Sequence, residues 1–195
     1  MPTPPPPDLH PTTWAALEAS GVLQSTEHRL IQDFYGQQRA RRSQVLFMNH
    51  IHEGLAVMLH LQASPQAMRA FCLHPLVQGD GELRDHYARV AQAVEPVPGG
   101  AFVLGLAMEY RSVANAYLSH AELPPEGIRL SPLVEVNAML AGDKVQNRKD
   151  FELHHAQAHA NRVRLAEYFQ QWCQALQIDD RYPLLKALLQ GAAWS

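Results

Sequence analysis

Residues 132–151 read PLVEVNAMLAGDKVQNRKDF, and the expected fold follows from how this stretch places its polar side chains. On a helix, steps of three, four, three and four put five side chains on one face: Leu133, Val136, Leu140, Asp143 and Asn147. A carboxylate and an amide therefore continue an apolar stripe. Because an unpaired buried carboxylate costs several kcal/mol, a helix that points Asp143 inward needs a metal, a cation or hydrogen-bond donors opposite it.

The chain on either side of this stretch shows helical periodicity and no alternating segment typical of a strand. We therefore predict an all-α bundle of eight or nine helices. The N-caps predicted from serine, threonine and serine-proline signals are Thr12 or Thr13, Ser25 or Thr26, Ser64 and Ser131. The first predicted helix covers residues 12–20, and the second runs from residue 25 or 26 toward the arginines at 39–42. The others cover residues 46–62, 64–74, 82–94, 101–118, 132–151, 151–176 and 183–189, with a turn at 78–81. Pro75 is expected to end or disturb the fourth helix.

The same periodicity predicts which side chains point into the bundle. On the third helix these are Phe47, His50, Gly54, Val57 and Leu61. On the sixth they are Phe102, Leu106, Val113 and Tyr117, with Glu109 among them. In the last long helical stretch they are Leu153, Ala156, Ala160, Val163, Tyr168 and Trp172.

Length and charge limit the class of protein. A chain of 195 residues favours one domain, which we place at residues 12–195, after a proline-rich extended arm at residues 1–11. A formal charge of −3 gives no electrostatic case for nucleic acid, because binding phosphate backbones requires a dense basic surface. One short basic run, Arg39, Arg41 and Arg42, is either a solvated helix end or an anion site.

Apolar runs and cysteines indicate the compartment. No apolar run reaches the roughly 18 residues that span a bilayer, and the N-terminus lacks the pattern of a signal peptide. Cys72 and Cys173 lie among apolar residues without a CxxC pair, which is typical of free thiols in a reducing compartment. We therefore expect a cytoplasmic protein without a membrane partner. The C-terminal segment LLKALLQGAAW, residues 184–194, is either core or the surface of a homodimer.

Three polar residues stand on otherwise apolar helix faces: His50, His74 and Asp143. Taken singly, each histidine is explained by a hydrogen-bonded position in the core. Together, two imidazoles and one carboxylate from three separate helices form a ligand set suited to one divalent transition ion such as Mn, Fe, Zn or Ni. The sequence leaves both interpretations open.

The segments around these residues resemble the HD superfamily of metal-dependent phosphohydrolases, and within it the hydrolase domain of the stringent-response alarmone enzymes. In that family a histidine is followed roughly two dozen residues later by a His-Asp pair, and a later aspartate supplies the last ligand. AMRAFCLHPLVQGD, residues 67–80, is similar to the family's segment around the second histidine. MLAGDKVQNRKDF, residues 139–151, is similar to its LADRLHNMRTL-type segment, with Asp143 and Asn147 matching. The resemblance covers residues 34–151 and implies an HD-like helical fold with a metal site.

The chain departs from the family pattern beside the second histidine. Pro75 stands where the family has its aspartate, and the family's acidic pair that activates water falls on Gln78 and Gly79. Alarmone hydrolysis by the family mechanism is therefore not expected. The three ligands would leave positions open to water, to substrate or to a further ligand from Asp80, His86 or Glu109. Lys144, Arg111 and Asn147 are the residues expected to stabilise an anionic substrate.

Three functions follow from this combination. The first is an HD-like metal-dependent hydrolase of a small anionic, phosphate-ester-like molecule, with Asp80, Lys144, Arg111 and Asn147 as its catalytic residues. The second is a catalytically inactive, degenerate HD-like module that binds a ligand or a partner. The third is an iron-dependent oxygenase on an HD fold, for which His86 and His120 are the histidines that remain for a second iron.

Other polar residues have a structural and a functional interpretation each. His52 and His60 are expected to be structural or exposed. His154, His155 and His159 are expected to form a polar helix face, although His155 and His159 have the spacing of a metal-binding pair. The segment with Glu109, Tyr110, Arg111 and Asn115 is either an internal ion pair with a hydrogen-bond network or a substrate wall.

Overall fold

Nine α-helices and one 3-10 turn make up the computed structural model, which describes residues 8–40, 44–119, 124–156 and 160–193. No strand forms in these ranges, where Arg39 and Leu46 make an isolated bridge. The all-α prediction is confirmed. The helices are α1 (Pro11–Ala19), α2 (Thr26–Tyr35), α3 (Phe47–His60), α4 (Pro65–Val77), α5 (Asp80–Val94), α6 (Gly100–Ala116), α7 (Val134–His154), α8 (Arg162–Ala175) and α9 (Tyr182–Leu189), with the 3-10 turn at Val22–Gln24.

Two of the predicted helix starts are confirmed by their caps. The Ser25 hydroxyl accepts a hydrogen bond from the His28 amide at 3.1 Å, and the Ser64 hydroxyl accepts one from the Ala67 amide at 3.2 Å. Pro65 follows Ser64 in the first turn, where its missing N–H has no cost.

Three other predicted starts, those of α1, α5 and α7, are wrong by a few residues. Helix α1 begins at Pro11, because the His10 ring caps it by accepting from the Thr12 amide. Helix α5 begins at Asp80, inside the turn predicted for residues 78–81. Helix α7 begins at Val134 after an uncapped start at Leu133, while Ser131 bonds to Glu109 instead of capping a helix.

The second half of the chain departs furthest from the predicted helix boundaries. Pro75 lies inside α4, which runs on to Val77, so the proline disturbs the helix without ending it. The single stretch predicted for residues 151–176 is two helices, because α7 continues to His154 and α8 begins at Arg162. Of the proline-rich arm, residues 1–7 lie outside the described ranges, whereas Leu9 is buried.

A close contact between α3 and α7 holds the centre of the bundle. A Cβ atom added to Gly142 would lie 2.9 Å from the Gly54 carbonyl oxygen and 2.9 Å from Met58 Cγ, so a side chain at this position would push the two helices apart. The missing side chain of Gly142 therefore lets the backbones of α3 and α7 lie close together. This approach places the polar residues of α3, one turn before Gly54, beside those of α7 next to Gly142.

Burial around α3 and α7 differs from the predicted stripes. Residues 51–58 of α3 and 139–146 of α7 are buried on every side, because neighbouring helices surround them. On α6 the buried face is rotated to Val103, Leu106, Ala107, Tyr110 and Ala114, and Phe102 is 52% exposed. Phe47, Leu133, Leu153 and Val163 are also exposed, contrary to their predicted inward positions.

The remaining fold predictions concern the C-terminus, the cysteines and the membrane. Helix α9 packs on α7 and α3 with Leu185, Leu188 and Leu189 buried in the core, whereas Leu184 of the same segment is 52% exposed. Cys72 and Cys173 are free and buried, as predicted. Among the described residues, no helix is both long and apolar enough to cross a bilayer. Arg41, Arg42 and Trp194 lie outside these ranges.

Candidate metal centre

The three ligands predicted from sequence converge on one point. His50 of α3, His74 of α4 and Asp143 of α7 each offer a ligand atom, and these atoms lie within 4.8 Å of one another. The Nε2 atoms of the two histidines are 3.1 Å apart, and His50 Nε2 is 3.6 Å from Asp143 Oδ1. Two atoms that each bind one ion at about 2.1 Å, with angles between 90° and 109°, are about 3.0–3.4 Å apart. The two imidazole nitrogens have such a separation, and the Asp143 oxygen lies slightly farther from His50 than this range.

A backbone carbonyl fixes the orientation of His74. His74 Nδ1 lies 2.6 Å from the Phe71 carbonyl oxygen, which can only accept, so Nδ1 carries the hydrogen. This leaves Nε2 as the nitrogen with a free lone pair. A ring N–H bonded to a backbone carbonyl is the arrangement that orients many metal-binding histidines.

The side-chain amide of Gln146 fixes the orientation of His50. Gln146 Nε2 donates to Glu53 Oε2 at 3.2 Å and to Asp150 Oδ2 at 2.7 Å, so its Oε1 atom must be the one that faces His50 Nδ1 at 2.6 Å. A reversed amide would place its oxygen against two carboxylates. His50 Nδ1 therefore donates, and its Nε2 also presents a free lone pair.

Both imidazoles thus turn a lone pair toward the same point, beside a carboxylate oxygen. Two lone pairs at 3.1 Å repel each other unless a proton or a cation lies between them. Protonating His74 is unfavourable, because burial and the neighbouring His50 lower its pKa to about 3. Either a proton on His50 Nε2, beside the Asp143 carboxylate, or a cation bound by all three ligands removes the repulsion.

Asp143 stays ionised because of its own partners. Burial alone would raise its pKa, but Lys144, His50 and His74 hold it at about 2. Lys144 Nζ contacts Asp143 Oδ2 at 2.8 Å, and Asn147 Nδ2 donates to Oδ1 at 2.8 Å.

Lys144 is buried as well, although it follows directly after a ligand. Burial alone would lower its pKa, but the Asp143 carboxylate raises it above the ordinary lysine value. Its ammonium group lies 5.0 Å from the ring centre of Trp172 and 5.8 Å from that of Tyr168, at distances typical of cation–π contacts. The carboxylate is therefore held from two sides with Oδ1 directed toward His50.

Tyr110 of α6 closes the inner side of the cluster. Its ring centre is 4.9 Å from that of His74, and its hydroxyl is fully buried without a hydrogen bond of normal geometry to any described residue. Burial and the charge of Asp143 raise the pKa of this hydroxyl well above its ordinary value. The cluster therefore has a neutral hydroxyl beside the Asp143 carboxylate.

The cluster opens into a cleft of about 510 Å³. Beside the three ligands, the cleft is lined by Lys144, Gln146, Asn147 and Asp150 of α7, and its wall includes the aromatic side chains of Tyr35, Phe47, Tyr168 and Phe169. Pro75 and Gln78 line it at the end of α4. Lys144 is the one cationic side chain among the described lining residues, and it is paired with Asp143.

Two of the predicted catalytic residues do not line this cleft. Asp80 is exposed and pairs with Arg111, and neither side chain is among those that line the cleft. Lys144 and Asn147 do line it, although both already bond to Asp143.

None of the residues predicted as further ligands joins the cluster. Besides Asp80, these are Glu109, which accepts a hydrogen bond from Ser131, and His86, which packs edge-on against Phe34. The ion pair predicted within residues 109–115 does not form among the contacts that the structure describes, because Arg111 pairs with Asp80.

The remaining histidines are structural, exposed or outside the described ranges. His52 is buried and its Nε2 lies 3.1 Å from His28 Nε2, so the exposed alternative for His52 is wrong. His154 is exposed and His155 half-buried at the end of α7. His120 and His159 lie outside the described residues.

Sequence reasoning missed the charged network behind His50. Lys149, Glu53 and Asp150 form it, with Lys149 Nζ 2.6 Å from Glu53 Oε2 and 2.8 Å from Asp150 Oδ1. The spacing in sequence indicates part of this network, because Gln146 and Asp150 follow Asp143 by three and seven positions and share its helix face. Glu53 likewise follows His50 by three positions.

Comparison of the chain with protein-family models, with curated proteins and with solved structures finds no match in any of the three. The resemblance to the HD superfamily therefore stays a prediction. The function is inferred from the geometry of the chain's own residues.

Proposed function

We propose that His50, His74 and Asp143 bind one divalent transition metal, and that the protein is an HD-like hydrolase of a small anionic, phosphate-ester-like molecule. The observation that carries the proposal is the pair of hydrogen bonds at the two Nδ1 atoms, which leaves both Nε2 lone pairs directed at one point. The carboxylate of Asp143 completes a set of two neutral imidazoles and one anion, which suits Mn, Fe, Zn or Ni.

The other residues of the cleft position the metal ligands or act on the substrate. A divalent ion in such a site supplies a Lewis acid and lowers the pKa of bound water. Lys144 and Asn147 hold Asp143 in place, so they support the ligand set more directly than they bind substrate. Among the described residues that line the cleft, Asp150 is the carboxylate besides Asp143, and it replaces Asp80 as the candidate for proton transfer.

The cleft walls favour a substrate with an apolar or planar part. Tyr35, Phe47 and Tyr168 contribute aromatic surface, whereas the described lining offers no cation apart from the paired Lys144. An anionic group would therefore be bound mainly through the metal, and the rest of the molecule would contact the aromatic wall.

A second function, a catalytically inactive ligand-binding module, is favoured by a different observation. Asp150 interacts with both Lys149 and Gln146, so the one additional carboxylate among the described lining residues is engaged by the network behind His50. In this case metal and ligand would bind without turnover. The geometry gives no support to a di-iron oxygenase, because His86 lies against Phe34 and away from the cluster.

Metal content and turnover can be measured on the same preparations. The protein is purified without chelators, its metals are quantified, and Mn, Fe, Zn and Ni are titrated into the stripped wild type and the His50→Ala and Asp143→Ala variants. His28→Ala is the matched control, since it removes a buried histidine with the same contact distance outside the cluster. We expect one ion per chain in the wild type and the control, and none in the two ligand variants.

Hydrolysis is then followed with p-nitrophenyl phosphate, a simple phosphate monoester, as the probe. We expect metal-dependent release of phosphate by the wild type and loss of release in the Asp143→Ala variant. Equal metal content in all four proteins would sink the metal site. A loaded wild type that releases no phosphate from this probe or from nucleotide and sugar phosphates would instead favour the binding module.

A further inference from the structure

A proline interrupts the hydrogen-bond ladder of α4 next to a proposed ligand. Pro75 has no N–H, so the Phe71 carbonyl four residues earlier lacks the donor that a helix normally supplies. The proline ring also crowds this carbonyl and turns it away from the helix axis. A buried carbonyl without a donor is unfavourable, so another group must bond to it.

The group that bonds to this carbonyl is the proposed ligand itself. His74 Nδ1 lies 2.6 Å from the Phe71 oxygen, and both residues are buried. The bond keeps the hydrogen on Nδ1 and leaves Nε2 bare, 3.1 Å from His50 Nε2. The missing N–H of Pro75 therefore affects which nitrogen of His74 carries the hydrogen at the centre of the cluster.

We infer that Pro75 is a positioning residue, which frees the Phe71 carbonyl so that the carbonyl selects the Nδ1–H tautomer of His74 and presents Nε2 as the ligand atom. Its role for the metal rests on the proposed metal site, whereas its role for the tautomer stands on the protein without metal. Position 75, where the HD pattern has an aspartate, thus acts on the proposed ligand His74 through the backbone in this chain.

An N–H at position 75 would compete with His74 for the same oxygen. In the Pro75→Ala variant the backbone amide gained at this position can donate to the Phe71 carbonyl, which is no longer crowded by a ring. A carbonyl has two lone pairs, so we expect competition and a mixture of tautomers instead of complete loss of the His74 bond. Removing an interior helix proline also removes its own strain, so the melting temperature should rise.

The test compares three full-length proteins: wild type, Pro75→Ala and Pro65→Ala. Pro65 is the matched control, because it lies at the first turn of the same helix and removes no donor from the ladder. The tautomer of His74 is read from the ring ¹⁵N shifts of the metal-free, ¹⁵N-histidine-labelled proteins, with the His74 signals identified by their absence in His74→Gln. Mn²⁺ affinity and melting temperature are measured on the same samples.

We expect the Nδ1–H tautomer alone in the wild type and in Pro65→Ala, and both tautomers in Pro75→Ala. Mn²⁺ affinity should fall in Pro75→Ala by the factor to which the Nδ1–H tautomer is depleted, about twofold for an equal mixture, although this variant melts at a higher temperature. A loss of affinity by unfolding would lower both quantities together.

Two results would overturn the inference. One is a single Nδ1–H tautomer in Pro75→Ala, or a wild type without this tautomer. The other is a shifted tautomer with unchanged Mn²⁺ affinity. A wild type that binds no metal but shows the expected tautomer shift would sink the proposed function and leave the control of the tautomer by Pro75 standing.

Discussion

Two pairs of histidines in this protein have the same separation and different surroundings. The Nε2 atoms are 3.1 Å apart in His28–His52 and also in His50–His74. The rings of the first pair stack at 22°, whereas those of the second meet at 67°. Proximity of two imidazoles therefore does not distinguish a candidate metal site from a core contact.

What differs is the state of the outer ring nitrogens. In the pair His28–His52, the Nδ1 atom of His52 has no hydrogen bond to a described residue, so this ring is free to carry its hydrogen on Nε2 and donate it to His28. Trp14 packs edge-on against His52, and burial lowers the pKa of His28 to about 4 and that of His52 to about 3. This pair is a neutral hydrogen bond in an apolar setting.

In the pair His50–His74, both Nδ1 atoms are bonded to acceptors, so neither Nε2 can donate without a second proton. The comparison teaches that outer hydrogen bonds determine whether two neighbouring histidines bond to each other or to a cation.

The largest effect is expected from the charged network that supports only the second pair. Lys149→Met leaves Glu53 and Asp150 without their buried cation, and we expect a loss of about 3–5 kcal/mol in the free energy of unfolding at neutral pH. Chemical denaturation measures it. Lys186→Met is the control, because Lys186 pairs with Glu152 at a partly exposed site, where a pair contributes about 0–1 kcal/mol. Equal losses in the two variants would contradict a supporting role for the network.

The second-largest expected effect is the pH dependence of the free energy of unfolding that comes from the pair His28–His52. His28 and His52 have folded-state pKa values of about 4 and about 3, below the unfolded value near 6.5, so the unfolded chain binds more protons between these values. Their stability contribution is complete above about pH 7 and is lost as the pH falls. We expect the metal-free protein to lose about 2–3 kcal/mol from these two residues between pH 7.5 and pH 5.5.

Denaturation curves at several pH values check this expectation. The double variant His28→Gln with His52→Gln does not titrate at these positions, so its stability should fall less over the same range. His74, whose pKa is lowered in the same direction, contributes equally to both proteins and cancels in the difference. Parallel pH curves for the variant and the wild type would contradict the expectation.

The smallest effect is expected from the single amide that orients His50. Gln146→Leu removes the acceptor for Nδ1, and we expect Mn²⁺ affinity to fall about 10–100-fold, or about 1.4–2.7 kcal/mol. Titration calorimetry measures it. Gln146→Glu keeps an acceptor oxygen and should retain more of the affinity than Gln146→Leu, and His28→Gln should retain all of it. A Gln146→Leu variant that binds as tightly as the wild type would show that the outer hydrogen bond of His50 is unimportant.

Helix spacing predicted the ligands because each breaks an apolar face. His50, His74 and Asp143 were identifiable in this way, and the structure brings them together. Lys144 was not identified as a buried partner, because a residue next to a ligand projects about 100° away and is exposed on most helices. Here α7 is surrounded by other helices, and periodicity carries no information about a helix that is buried on every side.

The partners of the ligands were harder to predict than the ligands. Gln146 lies on the face of Asp143 and was identifiable from spacing, but its role depends on Glu53, which is distant in sequence. The effect of Pro75 depends on the side chain of His74, which takes the place of the backbone donor that the proline lacks. From the sequence, Pro75 predicted only a disturbed helix. Asp80 and Arg111 were chosen for their charges, and the structure pairs them with each other outside the cleft.

The pairing of Lys144 with Asp143 also determines the net charge of the cluster. The two charges cancel, and imidazoles that bind a metal through Nε2 are neutral, so in the metal-binding state these four side chains together carry no net charge. A divalent ion would then leave the cluster with two uncompensated positive charges at the floor of the cleft. Anions would accumulate there only when the ion is bound, and salt would weaken this attraction over a distance of about 8 Å at physiological ionic strength.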